Sequence, residues 1–185
     1  METIETAFPD VYRDISTEKL ISVYEHGPQR LQQAIDGLSC EEMLAEARPG
    51  KWSVQEIVLH LADAEIMGST RIRQCYAQPG CTFIMYDQNI WANILDYRHL
   101  DKPATEQAVQ LFSSLRSANA ALFRRCNDLD WRKTGYHLEQ GYLTLRNLLE
   151  LYADHSERHI GQILQIRDLL GKPLHMQLLL EKWLY

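Results

Sequence analysis

The stretch Asp154-His155-Ser156-Glu157-Arg158-His159-Ile160-Gly161-Gln162-Ile163 decides the interpretation of this chain. It lies in a segment with helical periodicity, and two histidines occupy positions on its apolar face. The full stripe reads Leu148, Tyr152, His155, His159, Ile163 and Ile166. Residues four apart stack one turn above each other on a helix. Both imidazoles therefore face the same place inside the protein.

Two adjacent imidazoles on a buried face are costly, because buried polar groups need partners and neighbouring histidines cannot both stay charged in a dry core. Two solutions relieve the cost. Each ring can find its own hydrogen-bond partner, or both rings can bind one metal ion as neutral ligands. The pair by itself leaves both solutions open.

A third histidine, His60, is the leading candidate for a further ligand. It lies in a second helical segment, in which Ser53 and Glu56 form the pattern of an N-terminal capping box. Its register aligns it with Ile57 and Ala64, at the edge of the apolar face. A third imidazole from a facing helix would give a three-histidine site with open coordination positions, the arrangement of a reactive ion.

Length and composition describe one domain spanning residues 1–185. The chain is 45% hydrophobic with a net charge of −6, and its 19 Lys and Arg are scattered among 25 acids, which argues against a nucleic-acid partner. No apolar run approaches the roughly 20 residues of a membrane-spanning helix. The first residues lack a secretion signal, so we expect a cytoplasmic protein with four reduced cysteines.

Four long helices are predicted, at 15–38, 53–76, 104–126 and 144–170. Gly27-Pro28 interrupts the first, which predicts a kink or a short leading helix followed by a longer one. No segment alternates with a period of two for long enough to make a sheet. The fold class is therefore an all-α four-helix bundle.

The connection at 78–103 is unusually long for a helical bundle. Such a length favours a crossover between parallel second and third helices, with a short helix at 87–95 on the way. The tail at 174–185 is apolar and contains Trp183, so we expect it to pack on the bundle or on a second subunit of a homodimer.

These features together resemble the DinB-like superfamily of four-helix metalloproteins, which includes metal-dependent hydrolases and thiol S-transferases. The resemblance covers nearly the whole chain up to Gly171. It rests on Trp52-Ser53, Glu56-Ile57, His60-Leu61-Ala62-Asp63, Tyr86-Asp87-Gln88, Trp91-Ala92, Trp131, His137 with Gly141, Leu143 and Thr144, and His155-x-x-x-His159-Ile160-Gly161-Gln162. It implies an up-down-down-up bundle in which His60, His155 and His159 bind a divalent metal. Three imidazoles suit zinc, which we expect, with nickel as the alternative.

Several other residues are candidates for the site. His137, at the position where the family often has a histidine, is either a proton donor or substrate contact in the metal pocket or an exposed loop residue. Glu56 and Asp63 can hydrogen-bond a ligand's second nitrogen, although helix capping explains Glu56 equally well. Gln162 can reach the metal site or bond a neighbouring helix.

Three aromatic residues, Trp52, Tyr86 and Trp91, either line the pocket or fill space between the helix ends and the crossover. Glu157 does not match the position of a metalloprotease glutamate, because it lies some 200° around the helix from His155. We expect Glu157 to be solvated and paired with a basic neighbour. Asp154 is only about 100° from His155, so it either flanks the site or has a surface role, and we expect the surface role.

The predicted function is a metal-dependent enzyme acting on a small molecule. A neutral three-histidine site leaves an ion with its positive charge and with open positions, so it can activate water for hydrolysis or a low-molecular-weight thiol for S-transfer. The alternative is a non-catalytic metal-binding or stress-related interaction protein, in which the ion holds the halves of the bundle together. A fourth protein ligand would favour that alternative.

Overall fold

The computed structural model describes residues 11–180. Its long helices are α1 (Thr17–Ile35), α3 (Val54–Ala77), α5 (Lys102–Phe123) and α6 (Leu145–Leu169), close to the predicted bounds. Two short helices, α2 (Cys40–Met43) and α4 (Gln88–Ile94), lie in the connections, with short 3-10 turns at Tyr97–His99 and Asp130–Arg132. Within these residues, no helix is both long and apolar enough to span a bilayer.

Side-chain caps start the long helices at the positions that the sequence indicates. Ser53 caps α3 and forms the predicted capping box with Glu56, and Thr144 caps α6 by the same reciprocal arrangement with Asn147. α1 is a single continuous helix with Pro28 inside it, so the alternative of a short leading helix is wrong. Gly171 follows α6 with φ +69°, the left-handed conformation that commonly ends a helix.

The direction of the four helices follows from two core clusters at opposite ends of the bundle. One cluster joins the start of α1 and of α6 to the ends of α3 and α5, for example Leu20, Leu148, Ile72 and Phe123. The other joins the ends of α1 and α6 to the starts of α3 and α5. The bundle therefore runs up-down-down-up, and the crossover between the parallel helices α3 and α5 is confirmed.

The connection before α6 departs from the sequence prediction. It contains a two-stranded antiparallel sheet, β1 (Thr134–His137) and β2 (Gly141–Thr144). The prediction of no sheet was therefore wrong. The strands are too short for periodicity to reveal, and the crossover holds them in place: the amide of Phe83 donates to the carbonyl of Tyr136, 2.8 Å away, and Gly135 lies against the Phe83 ring.

The segment after α6 packs on the bundle, as the first of the two sequence predictions states. Leu180 is buried in the core, and Leu178 lies against Gly161 of α6. The amide of Leu179 donates to the carboxylate of Glu157 at 2.7 Å. Trp183 lies outside the described residues.

The same packing corrects the prediction for two acids of α6. Glu157 is fully buried, because α1 and the C-terminal segment cover that face of α6. The predicted pairing with a basic residue is confirmed, since Arg30 binds its carboxylate through two hydrogen bonds of 2.6 and 2.8 Å. Asp154 is also buried, and it accepts a hydrogen bond from Tyr12, which precedes α1. Both acids anchor segments outside the four helices, and neither lies on the surface.

Candidate metal centre

Three histidines from two helices converge between α3 and α6. The Nε2 atom of His155 lies 3.1 Å from Nε2 of His60 and 3.2 Å from Nε2 of His159. All three side chains are more than nine-tenths buried. The one-turn spacing of His155 and His159 puts them on the face of α6 that meets α3, as the sequence predicts.

Burial keeps these rings neutral. Loss of solvation lowers the pKa of His60 and of His155 well below the ordinary value, and it lowers the pKa of His159 to about 3. The positive charge of Arg158 acts in the same direction on all three rings, and a proton on His159 would lower the pKa of the other two further. Neutral imidazoles carry the lone pairs that a metal ion requires.

The donor set fits a divalent ion. A tetrahedral zinc ion with Zn–N bonds of about 2.0–2.1 Å holds its nitrogens about 3.3–3.4 Å apart, close to the spacing seen here. Within residues 11–180, one cluster of histidine, cysteine or carboxylate groups is close enough to hold an ion. It consists of His60, His155 and His159. This set leaves coordination positions for a small molecule.

Two neighbours hold the outer nitrogens of the rings. The amide oxygen of Gln162 lies 2.8 Å from Nδ1 of His159, and the hydroxyl of Tyr86 lies 3.1 Å from Nδ1 of His60. A proton on Nδ1 of His159, donated to Gln162, leaves its Nε2 lone pair directed at the cluster. Gln162 thus contacts a histidine of the cluster, one of the two roles that the sequence left open.

The structure gives different outcomes for the two acids predicted near His60. Glu56 caps α3 and lies near Arg98, so capping is its observed role. Asp63 accepts a hydrogen bond from Tyr97, and Tyr97 in turn interacts with Tyr86. Asp63 therefore connects to His60 through two tyrosines, since the ring nitrogen that it was expected to bond is held by Tyr86.

The aromatic candidates surround the histidines to different degrees. The Trp52 ring centroid lies 4.5 Å from that of His60 and 6.2 Å from that of His159, so this indole covers one side of the cluster. Trp91 packs edge-on against Tyr86 at 4.9 Å and lies one layer further out. These contacts limit the access of water to the three rings.

A cavity of about 500 Å³ opens beside the cluster and is lined by His60, His155, Tyr86 and His137 among others. His137, at the end of β1, is buried, and its Nδ1 accepts a hydrogen bond from the amide of Glu139 at 3.3 Å. Burial and the nearby Arg71 lower its pKa. The neutral ring then carries its proton on Nε2.

Sequence reasoning missed two residues of this cavity, Arg71 and Tyr152. Arg71 is 11 residues after His60 and so lies on the same face of α3, three turns further along, a signal that the spacing contains. Tyr152 was assigned only to the apolar stripe. Its hydroxyl accepts a hydrogen bond from Arg71 at 3.2 Å, so this stripe position also contributes a polar group.

Comparison with known families agrees with this geometry. The sequence model of the DinB superfamily matches residues 24–163, which include all three histidines. The chain belongs to the DinB superfamily. It is 28% identical over 155 residues to the protein named "Putative metal-dependent hydrolase YfiT" of Bacillus subtilis (strain 168), covering 83% of this chain and 85% of that protein.

Solved structures of this superfamily member and of a more distant protein share the fold. The structure of Bacillus subtilis YfiT, described as a probable metal-dependent hydrolase with an unusual four-helix bundle topology, superposes with a TM-score of 0.78 over 84% of this chain and 87% of that one, at 28% identity. A mycothiol-dependent maleylpyruvate isomerase superposes with a TM-score of 0.66 over 84% of this chain and 63% of that one. At 10% identity, the second likeness concerns the fold alone.

Proposed function

We propose that this member of the DinB superfamily is a metal-dependent hydrolase of small esters or amides. His60, His155 and His159 hold one divalent ion, with zinc expected and nickel as the alternative. The observation that carries the proposal is the convergence of three neutral, buried Nε2 atoms beside a cavity. The name of the Bacillus subtilis relative supports the same reaction class.

When bound, the ion supplies a Lewis acid that lowers the pKa of a small nucleophile toward neutrality. The chain provides the rest of the chemistry. Gln162 and Tyr86 fix the orientation of two of the rings, and Trp52 excludes water from one side. His137 faces the cavity with a proton on Nε2, and this N–H donates a hydrogen bond to the substrate oxygen that gains negative charge in the reaction.

A second candidate reaction is S-transfer from a low-molecular-weight thiol to an electrophile. A second cavity, of about 570 Å³, reaches His159 and Gln162 from the side of Trp52. Gln88, Asn89 and Arg158 line both cavities and lie between them. Two cavities that meet the same histidine cluster suit a reaction with two substrates, one of which is the thiol.

The non-catalytic alternative requires a metal site closed by protein ligands. The described part of the chain offers three metal-binding groups at the cluster, and the cavity adjoins two of them. Both observations favour catalysis, because structural zinc sites usually have four protein ligands.

The test is a paired activity screen on protein loaded with zinc or with nickel. Hydrolysis of p-nitrophenyl acetate and conjugation of cysteine to 1-chloro-2,4-dinitrobenzene are measured for wild type, His155→Ala, His137→Gln and a control, His175→Ala. His175 is exposed, lies in the segment after α6 and is not part of the histidine cluster. We expect activity in wild type and in the control, none in His155→Ala, and a loss of about 10²-fold or more in His137→Gln.

The outcome separates the candidates. Activity in one assay alone identifies the reaction class. Metal-loaded wild type that is no faster than His155→Ala in both assays would reject catalysis on these chemistries and leave the metal-binding alternative.

A further inference from the structure

The cavity beside the histidines contains a buried cation that pairs with no acid in the part of the chain that the structure describes. Arg71 is only 7% exposed. Within residues 11–180 it forms no ion pair with a carboxylate. Its two terminal nitrogens donate to neutral oxygens, the Tyr152 hydroxyl at 3.2 Å and the Ile84 carbonyl at 2.9 Å. A buried guanidinium without a counter-charge is rare, because burying an unpaired ion is expensive.

The hydrogen-bond capacity of this guanidinium is also incomplete. Its Nε–H has no partner among the described residues, although the atom is fully buried. Native structures satisfy most buried donors, so an unsatisfied one calls for an explanation. An acceptor that enters the cavity as a ligand provides it.

The acids near the cavity do not supply the missing charge. Asp87 and Glu139 line it, but both are exposed, and Asp87 accepts hydrogen bonds from the amides of Asn89 and Ile90 at the start of α4. They lie at the mouth of the cavity. The buried part carries the positive charge of Arg71 and the neutral imidazoles, and the half-buried Arg158 adds a second positive charge to the lining.

The helix aims this charge toward the metal centre. His60 and Arg71 share one face of α3, with about 16 Å between their positions along the axis. Side chains lean toward the N-terminal end of their helix, so Arg71 reaches back in the direction of His60. Its partner Tyr152 lies beside His155, with ring centroids 6.4 Å apart.

We propose that Arg71 binds a carboxylate on the small molecule that reacts at the three-histidine centre, and so selects anionic substrates. The inference rests on the proposed function for the reaction, and on Arg71 alone for the charge of the ligand. A guanidinium fork matches the two oxygens of a carboxylate and favours it over a neutral amide of the same size. The carboxylate belongs to the thiol or to the second substrate.

The experiment uses protein loaded with Co²⁺, whose visible absorption changes when a thiol binds. A series of ω-mercaptoalkanoates with two to five methylene groups is titrated beside the matching amides, because the spacing of Arg71 from the centre sets the preferred length. In a second arm, phenylacetate and phenylacetamide compete with the thiol probe. The second arm detects a carboxylate that belongs to the other substrate.

The variants are Arg71→Gln, Arg71→Lys and a control, Arg125→Gln, which makes the same change of charge at an exposed residue beyond α5. In wild type and the control we expect carboxylates to bind about 10- to 100-fold tighter than the amides in at least one arm. Arg71→Gln should abolish this preference without changing the metal content. Arg71→Lys should keep part of it, since it retains the charge but loses the fork.

Two results would overturn the inference: equal binding of carboxylate and amide by wild type in both arms, or an undiminished preference in Arg71→Gln. Circular dichroism checks that the variants fold. Failure of the metal proposal gives a different signature, because Co²⁺ then produces no visible bands. In that case calorimetric titration of phenylacetate and phenylacetamide into metal-free protein tests Arg71 alone. Equal affinity for the two compounds in wild type, or an undiminished preference in Arg71→Gln, would again overturn the inference.

Discussion

The ion pair at the centre of the bundle offers a quantitative test of the packing. Arg116 of α5 is completely buried and its Nε lies 2.8 Å from the carboxylate of Glu65 on α3. The guanidinium also donates to the Tyr24 carbonyl and the Ser156 hydroxyl, each at 2.9 Å. It thereby links all four long helices. Burial raises the pKa of Glu65, although Arg116 opposes the rise.

Glu65→Gln removes the negative charge and leaves the guanidinium buried. Arginine cannot release its proton in a protein, so the cost is that of an uncompensated buried charge, about 3–5 kcal/mol. A loss of that size lowers the Tm of a chain of this length by about 6–20 °C.

Arg116→Met has a different pH dependence, because Glu65 can take up a proton. Without the guanidinium, the pKa of Glu65 in the folded state rises further above its value in the unfolded chain. Such a group stabilises the fold fully below the unfolded pKa, and the contribution is lost as pH rises through the folded pKa. Relative to wild type, Arg116→Met should therefore lose up to about 1.4 kcal/mol per pH unit as pH rises from the folded pKa of Glu65 in wild type to its higher folded pKa in the variant.

Urea unfolding followed by circular dichroism at pH 5, 6, 7 and 8 measures both effects. The control is Arg124→Met, which breaks an exposed ion pair with Glu25 and should leave the free energy of unfolding unchanged. The reasoning is refuted if Glu65→Gln is as stable as the control. It is also refuted if the deficit of Arg116→Met relative to wild type is the same at every pH.

Three further predictions concern single positions. Gly68→Ala places a Cβ 2.7–2.9 Å from the Tyr152 ring, so thermal unfolding should show a loss of about 1–3 kcal/mol; an unchanged Tm would contradict this contact. Tyr86→Phe removes the hydroxyl that holds Nδ1 of His60, so the variant should bind the metal about 10-fold more weakly than wild type in competition with a chromophoric chelator. Equal affinity in the two proteins would contradict a role for this hydrogen bond. Burial raises the pKa of Cys75 to about 12, so this thiol should react with a disulfide reagent at neutral pH only after unfolding. A Cys75→Ala variant with fewer reactive thiols in the native state would show that the residue is accessible.

The sequence predicted the helices and the pair His155 and His159 for local reasons. Apolar periodicity and capping residues such as Ser53 act within one helix, so they can be read without knowledge of the fold. The meeting of His60 with His155 is long-range, and it was inferred from the cost of burying imidazoles and from resemblance to a family.

The wrong predictions share a physical cause, because each concerns a part of the fold that is packed against a segment distant in the sequence. Glu157 was expected in solvent because it lies some 200° around α6 from His155, and Asp154 was expected at the surface. The chain before α1 and the chain after α6 cover those faces. The β-hairpin depends on backbone hydrogen bonds with the crossover, among them the bond from the Phe83 amide to the carbonyl of Tyr136, 53 positions later. No residue pattern within one segment indicates which distant segment will pack against it.

The central claim is that His60, His155 and His159 together hold one divalent ion. Elemental analysis of untagged protein, after reloading with zinc or nickel and removal of excess metal, tests it most directly. We expect about one ion per chain in wild type and in His175→Ala, and none in His155→Ala. Chelator should lower the Tm of wild type and of His175→Ala and leave the Tm of His155→Ala unchanged. Wild type that retains no ion after reloading, with a Tm unaffected by chelator, would contradict the account and make the three histidines polar residues of the core.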